Sequence, residues 1–314
     1  MEEIKMKPQV KKKFPWGERI FIWSLLAAPL VQLAIFYFYV NISAFTLAFK
    51  DVSADLSYRW VGFDNFIQVW KDLINPNYYL GTAFKNSILK FLIAEFIKIP
   101  MVFLIAYYVY KRLPGALVFR IFAMMPTIVS SLIITLIVKS FMNNLPKLLE
   151  QVGIYGFPKV FSKEHAPMHF MVSTLYGVWL GWNAAAIIYP NRIATVDAGI
   201  MESAQLEGVS MLEELWYIIL PMLMPTFTTF TVVAVSGIFT ESGSLFALWG
   251  YETDTAAYNV GFFIFNRTTN PGIIGGNNIY YPYVAALGLM CSIVSIPLTF
   301  GTKKLLEKAD PMND

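Results

Sequence analysis

The sequence contains very few of the residues that build disulfides and metal sites. It has one cysteine, Cys291, and two histidines, His165 and His169, among 314 residues. A disulfide framework is therefore excluded, and so are sites that need several thiolates or a cluster of imidazoles. We expect neither a bound metal nor a cofactor.

Charged residues are also scarce. They make up 14% of the chain, against roughly 25% in a soluble domain, while hydrophobic residues make up 56%. This balance predicts an integral membrane protein. A basic N-terminus precedes the first apolar run, but that run is too long for a signal peptide and lacks a small-x-small cleavage site at its end. We therefore interpret it as the first membrane span.

The apolar runs predict an all-α bundle of about six transmembrane helices, because a helix needs roughly 20 mainly apolar residues to cross a bilayer. The runs lie at residues 20–47, 86–110, 116–142, 170–190, 219–249 and 282–302. We accordingly divide the chain into a basic N-terminal segment at 1–19, a transmembrane domain at 20–304 and a C-terminal tail at 305–314.

The lysines and arginines are distributed unevenly among the loops and span ends. More of them lie on the side of the N-terminus than on the opposite side, which predicts that both termini are cytoplasmic. The same orientation places the loop between spans four and five in the cytoplasm.

That loop, residues 195–213, is polar and has a helical pattern; we call it the polar loop. Thr195 and Asp197 are candidate N-caps for a first helix from about 198 to 206. Gly208 is able to take a positive φ and so to end that helix. The stretch from Ser210 to Glu213 then has the pattern of a capping box that begins a second helix.

The first of these helices offers a face of mostly small residues. Met201, Ala204, Gln205 and Gly208 share one side at helical spacing, so a partner's backbone is expected to approach closely there. The carboxylates predict an acidic surface that suits a basic groove: Glu202, Glu207, Glu213 and Glu214. A helix lying on lipid is the less favoured interpretation, because such helices are usually rich in lysine and arginine and this loop has none.

The spacing in and after the polar loop resembles a signature of permease subunits in binding-protein-dependent ATP-binding-cassette (ABC) importers. That signature reads Glu-Ala-Ala, three residues, Gly, nine residues, Ile, one residue, Leu-Pro. The matching residues are Glu202, Ala204, Gly208, Ile218, Leu220 and Pro221, and Ser203 replaces the second alanine. Three other stretches resemble the sugar-importing branch: residues 61–66, Phe119-Arg120 with Pro126, and the region from Trp179 to Pro190.

The resemblance implies a transport subunit in a bacterial-type inner membrane. Residues 202–208 would form a coupling helix, between membrane helices four and five, that seats in a cleft of an ATPase subunit. The implied partners are a second permease, two ATPase subunits, an extracytoplasmic solute-binding protein and a carbohydrate, with an oligosaccharide favoured and no nucleic acid. ATP hydrolysis is expected on the ATPase subunits, because this chain has no Walker A sequence.

Several polar residues inside the spans are candidates for substrate contacts or for helix packing. Tyr176, Trp179 and Asn183 share a face of span four, which suits a sugar equally as well as it suits an aromatic belt. Glu241 in span five is a candidate hydrogen-bond acceptor for sugar hydroxyls. The alternatives for Glu241 are an ion pair with Lys139 or a cap at a helix break near Gly243.

The remaining intramembrane charges are interpreted as structural. Glu95 and Lys98 are three residues apart and are expected to pair on one helix face. Lys90 and Lys139 lie near the outer ends of their spans and are expected to snorkel toward the interface.

Three other function classes remain as alternatives. An ABC permease for a non-sugar solute would carry the same loop. A membrane-embedded enzyme would need a nucleophile with a base or clustered carboxylates, and no paired-aspartate, His-Glu-x-x-His or Gly-x-Ser-x-Gly motif is present. An ion-coupled secondary transporter predicts internal repeats, and we detect none.

Overall fold

The computed structural model describes residues 16–52, 57–161, 168–270 and 281–310, and this part of the chain is almost entirely helical. The predicted N-terminal segment at 1–19 and the predicted tail at 305–314 lie partly outside the described residues. One small antiparallel hairpin is formed by β1 (Lys50–Val52) and β2 (Tyr58–Trp60).

The helices follow one another with short connections. In chain order they are α1 Trp16–Leu47, α2 Asp64–Ile74, α3 Leu80–Tyr110, α4 Ala116–Ile128, α5 Ser131–Gln151, α6 His169–Leu180, α7 Asn183–Ile193, α8 Ala198–Leu206, α9 Met211–Ser236, α10 Leu245–Trp249, α11 Val260–Thr269 and α12 Tyr281–Ala309. The all-α prediction is confirmed.

Four of these helices are long and apolar enough to cross a membrane: α1, α5, α9 and α12. Helix α3 has 31 residues, which gives it a length of about 46 Å, but it carries four charged residues, Lys85, Lys90, Glu95 and Lys98. The count of six spans remains a prediction.

Two predicted spans are interrupted in the structure. The run at 116–142 is divided between α4 and α5, because Val129 and Ser130 have ψ angles of 139° and 132°, which are not helical. The run at 170–190 is divided between α6 and α7 at Gly181 and Trp182. At Gly181 a Cβ atom would lie 3.1 Å from Cδ of Lys98, so the glycine permits α3 to approach this break closely.

The predicted span at 219–249 is shifted toward the N-terminus. Helix α9 already begins at Met211, within the polar loop, and ends at Ser236. The chain then turns, with positive φ at Gly243 and Ser244, before α10. These left-handed residues cannot continue a right-handed helix, so α9 and α10 do not join into one span.

The base of α9 contains a π-helical segment, Glu214–Ile219. Pro221 follows this segment directly. Its ring excludes the carbonyl four residues earlier and it has no N–H to donate, so a wider helical turn is expected just before it. The polar loop and the span are therefore one continuous helix with a widened turn between them.

Two buried apolar clusters hold the bundle together, and α3 contributes to both. The first joins the start of α3 to the segment from α10 to α12 and has Phe239, Leu245, Leu248, Phe262 and Phe263 at its centre. The second joins the end of α3 to α7, α8 and the base of α9, through Phe103, Tyr189, Ile193, Met201 and Leu223. The helix pairs with the most extensive contact are α3 with α7 and α9 with α12.

Candidate functional site

The first helix of the polar loop is confirmed by the structure. Helix α8 runs from Ala198 to Leu206, and the Asp197 carboxylate accepts a hydrogen bond from the Gly199 N–H at 2.7 Å. Gly208 follows with φ of 76°. A Cβ atom at Gly208 would meet nothing within 4 Å, so the turn requires glycine for its backbone angle rather than for space.

The second helix begins with the predicted capping box. The Glu213 N–H donates to Oγ of Ser210 at 3.4 Å, and the Ser210 N–H donates to Oε2 of Glu213 at 2.9 Å. Together these caps satisfy donors that would otherwise be orphaned at the helix start. Both helices of the polar loop are therefore anchored by local contacts of their own side chains.

The faces of α8 differ in part from the predicted arrangement. Met201 is buried in the second apolar cluster of the chain itself, and Gln205 is exposed. The four residues predicted to share a face therefore do not form one docking face: Met201, Ala204, Gln205 and Gly208. The reason is that α8 turns its apolar side toward α3 and α7. The outer face consists of Glu202, Ser203, Leu206, Glu207 and Gly208, all exposed.

Leu206 is the residue that the sequence reasoning missed on this outer face. It exposes 90% of its surface, although a leucine on a short capped helix normally packs inward. A sequence signal existed, since Leu206 lies between two glutamates of the predicted acidic surface.

A cleft of about 880 Å³ separates α8 from the start of α9. Ala204 is 8% exposed and lines it, together with Ile200, Ser203, Glu207 and Tyr217. The small side chain of Ala204 leaves this cleft open. A partner can therefore approach Ala204 closely only by placing one of its own groups inside the cleft.

Glu214 corrects the prediction of an acidic surface with four carboxylates. It is 4% exposed, and Nζ of Lys111, in the turn after α3, lies 2.7 Å from its Oε1 and 2.8 Å from its Oε2. The two residues are 103 positions apart. No local pattern indicates such a pair, which explains why the sequence did not predict it.

The last three signature residues connect the polar loop to α9. Ile218 lines the cleft and is partly buried, and Leu220 packs against the second apolar cluster. Pro221 lies directly after the π-helical segment. These three residues therefore belong to the start of α9 and are not part of the outer face of α8.

The candidate substrate residues on α6 and α7 are separated by the break at Gly181 and Trp182. Tyr176 is buried, its hydroxyl lies 2.6 Å from Oγ1 of Thr135 on α5, and its ring centroid is 5.7 Å from that of Trp179. Trp179 is partly buried. Asn183 begins α7, and its side chain lies outside what the structure describes.

Glu241 lies in the turn between α9 and α10 with its side chain exposed. Its carbonyl accepts a hydrogen bond from Nδ2 of Asn259 at 2.8 Å, and a Cβ atom at Gly261 would lie only 2.5 Å from the same carbonyl. Among the described residues, no ion pair joins Glu241 to Lys139. The backbone is thus held in place while the carboxylate is accessible.

The prediction that Lys90 snorkels is wrong. Its side chain is buried, and Nζ donates to the Ala257 carbonyl at 3.3 Å and lies 5.5 Å from the Phe170 ring. The reason is that the segment after α10 folds over this end of α3. The Glu95–Lys98 pair is confirmed as an ion pair within α3, and Lys139 is partly buried.

A further cavity of about 710 Å³ lies between the ends of α7 and α12 and the second half of α9. Its lining combines apolar side chains with polar and charged ones of both signs: Arg192, Thr195, Thr228, Lys303, Glu307 and Asp310. In the part of the chain that the structure describes, no group of three or more His, Cys, Asp or Glu residues is placed to hold a metal ion.

The chain was compared with known protein families, sequences and structures. No family model matches the chain. It is 23% identical to the multiple sugar-binding transport system permease protein MsmF of Streptococcus mutans, over 89% of this chain and 91% of that protein. It is 26% identical to Protein LplB of Bacillus subtilis, over 92% of this chain and 89% of that protein.

The fold is that of a solved ABC transporter. The crystal structure of a bacterial ABC transporter involved in import of the acidic polysaccharide alginate contains a chain that superimposes with a TM-score of 0.75 at 17% identity, over 93% of this chain and 96% of that chain. A second structure, of an alginate ABC transporter in complex with a periplasmic protein carrying an alginate pentasaccharide, gives a TM-score of 0.74. With the polar loop, the apolar helices and these relatives taken together, the chain is a membrane permease subunit of a binding-protein-dependent ABC importer, in the branch that includes the sugar permeases.

Proposed function

We propose that the chain forms, with a second permease, the path through which a carbohydrate crosses the membrane. In this proposal a solute-binding protein delivers the carbohydrate, and two separate ATPase subunits drive its import. The observation that carries the proposal is the outer face of α8, which presents an exposed leucine between carboxylates at the place where the importer signature falls.

The outer face of α8 has the properties of a docking surface for an ATPase subunit. Leu206 is 90% exposed, and burying a leucine in a partner stabilises a complex by about 1.5–3 kcal/mol. Glu202 and Glu207 flank it and suit a basic cleft. Asp197 and Gly208 fix both ends of the helix, so a force applied by the partner moves α8 as a rigid unit.

A second permease is supported by the first helix. Helix α1 is 32 residues long, and none of its most apolar stretch is buried within this chain. Lipid covers part of such a helix, and we propose that a second permease covers the rest. Both termini and the polar loop are then on the cytoplasmic side of the inner membrane, with residues 1–19 and 305–314 as short cytoplasmic segments.

A carbohydrate substrate is supported by the relatives that cover most of the chain. One of them is named as a multiple sugar-binding system and another as an arabinooligosaccharide system. Within this chain, Trp179 and the accessible carboxylate of Glu241 are the strongest candidates for substrate contacts. Tyr176 is a weaker one, because its hydroxyl is occupied by Thr135. Asn183 stays a prediction from sequence.

A second candidate substrate is a small phosphorylated polyol. The sn-glycerol-3-phosphate permease protein UgpA of Pectobacterium atrosepticum is 25% identical to this chain, although over only 54% of it. The same subunits and the same docking face would serve that substrate, so the distinction depends on the solute-binding protein.

The proposal is tested by purifying the tagged chain with the products of neighbouring genes and weighing the complex by native mass spectrometry. We expect one copy of this chain, one different permease and two ATPase subunits. The solute-binding protein is then screened by thermal shift against neutral oligosaccharides, uronic-acid oligosaccharides and sn-glycerol-3-phosphate. A chain that purifies without any ATPase contradicts the proposal, and a thermal shift with sn-glycerol-3-phosphate alone selects the second candidate.

A further inference from the structure

One buried ion pair joins the polar loop to a different part of the bundle. Lys111 lies just after α3, and Glu214 lies directly after the capping box of the polar loop. The side chains of Lys111 and Glu214 are 19% and 5% exposed, and Nζ is within 2.8 Å of both carboxylate oxygens. The aromatic ring of Tyr107 also lies 5.5 Å from Nζ of Lys111.

The position of Glu214 along α9 gives this ion pair a mechanical meaning. Glu214 is the first residue of the π-helical segment, so the pair is on the loop side of the widened turn. A π-helical turn is a local departure from regular helix packing and often marks a functional site. When the polar loop moves, the π-helical turn can deform, so only part of the movement reaches the rest of α9. The ion pair, by contrast, connects the polar loop directly to α3.

The opposite end of α3 is attached to the segment after α10. Nδ2 of Asn86 donates to the carbonyls of Ala256 and Tyr258 at 2.7 and 2.8 Å, and Oγ of Ser87 accepts from the Val260 N–H at 2.9 Å. Asn86, Ser87, Tyr258 and Val260 are buried. A single helix of 31 residues thus connects the polar loop to the opposite end of the bundle.

We propose that the Lys111–Glu214 ion pair is the positioning contact that makes the polar loop and α3 move as one body. This inference rests on the proposed function, in which an ATPase subunit displaces the polar loop. The apolar contacts of the second cluster hold the same elements together, but they are non-directional and allow packed helices to slide. A charge-assisted hydrogen bond from Nζ of Lys111 to Oε2 of Glu214, with Oε1 also 2.7 Å from Nζ, fixes the register between the two elements.

The test measures a distance across this joint in the whole transporter. Spin labels are placed at Leu104→Cys on α3 and Leu212→Cys at the start of α9, both exposed positions, in a Cys291→Ser background. The distance is compared between the nucleotide-free state and the state trapped with ATP and vanadate. In the otherwise unaltered chain we expect a change of no more than about 2 Å, the size of a shift within packed helices.

Three variants of the pair are compared. Glu214→Gln is the mildest, because Lys111 is free to turn toward water. We expect its distance to change between the two states by about 5 Å or more, roughly one helical turn. Lys111→Gln is expected to behave in the same way. The reversed pair, Lys111→Glu with Glu214→Lys, is expected to restore a change of about 2 Å or less.

Glu95→Gln is the matched control, because it removes an ion pair that lies within α3 alone, and it is expected to leave the distance unchanged. The inference is overturned if the spin-label distance in Glu214→Gln changes by no more than it does in the unaltered chain. It is also overturned if the distance in the reversed pair changes as much as in the single variants, or if both single variants are lost from the membrane. Absence of the ATPase subunits from the unaltered complex would instead contradict the proposed function.

Discussion

At the scale of single residues, Gly208 is a position where the backbone angle restricts which amino acids can be accommodated. Its φ of 76° lies in the left-handed region, which costs a β-branched residue about 1–2 kcal/mol. We predict that Gly208→Val leaves the protein in the membrane but weakens assembly with the ATPase subunits. Co-purification of the ATPase subunits, corrected for membrane abundance, measures the effect.

Gly208→Asn is the control for this prediction. Asparagine tolerates the left-handed region, and a Cβ atom at this position meets no neighbour within 4 Å. Assembly should therefore stay close to that of the unaltered chain. If valine and asparagine had equal effects, the requirement would be for a small side chain and not for the backbone angle.

Leu206 provides a second residue-scale prediction. Since it is 90% exposed in the chain, Leu206→Ser should leave the abundance and thermal stability of the chain unaltered. Its affinity for the ATPase subunit should fall by roughly tenfold to hundredfold, the equivalent of about 1.5–3 kcal/mol of lost apolar burial. Titration of the purified permease pair with the ATPase measures this affinity.

Two controls bracket that result. Leu148→Ser removes an exposed leucine at the far end of α5 and should not alter the affinity. Glu202→Ala removes one exposed carboxylate and should cost under about 1 kcal/mol. Equal affinity of Leu206→Ser and the unaltered chain would show that the outer face of α8 does not touch the ATPase.

The residues that sequence reasoning placed well are those whose partners are near in sequence. Asp197, Gly208 and the Ser210–Glu213 box act over two or three positions, so their spacing alone predicts their contacts. Lys90 and Glu214 were misplaced for the opposite reason. Each is buried by an element that lies far away along the chain, and a single sequence contains no record of that contact.

At the scale of elements, the turn between α9 and α10 is held by backbone packing. A Cβ atom at Gly261 on α11 would lie 2.5 Å from the carbonyl oxygen of Glu241 and 2.7 Å from that of Thr240. Neither atom belongs to a flexible side chain. We predict that Gly261→Ala destabilises the purified protein by about 1–3 kcal/mol, as overpacking of a core does. Thermal unfolding in detergent measures this loss.

Gly288→Ala is the matched control within α12, since a Cβ atom there meets nothing within 4 Å. It should be neutral or slightly stabilising, because alanine favours a helix more than glycine does. A midpoint for Gly261→Ala equal to that of Gly288→Ala would mean that α11 is free to move away from the turn.

Hydropathy predicted where apolar helices lie but not where they are interrupted. The run at 116–142 is mainly apolar, and its average hydropathy does not show that the helix is interrupted at Val129 and Ser130. A helix break near Gly243 was one interpretation of the sequence, and in the structure α9 ends earlier, at Ser236, while Gly243 and Ser244 have positive φ. Interruptions of this kind depend on the surrounding helices, which compensate for the lost backbone hydrogen bonds.

At the scale of the whole molecule, the proposed function makes this chain one subunit of a larger assembly. Helix α1 is unburied within the chain, and the outer face of α8 is exposed. Each of these features makes sense when a second permease and two ATPase subunits complete the assembly.

The central claim is that this chain couples ATP hydrolysis by its partners to the import of a solute. The most direct measurement is uptake into proteoliposomes that contain the purified complex, with ATP inside and the solute-binding protein outside, loaded with the radiolabelled carbohydrate that binds it. We predict accumulation that requires both ATP and the binding protein and that is lost with Leu206→Ser. Uptake that proceeds without ATP, or ATP hydrolysis by the chain purified alone, would contradict the account.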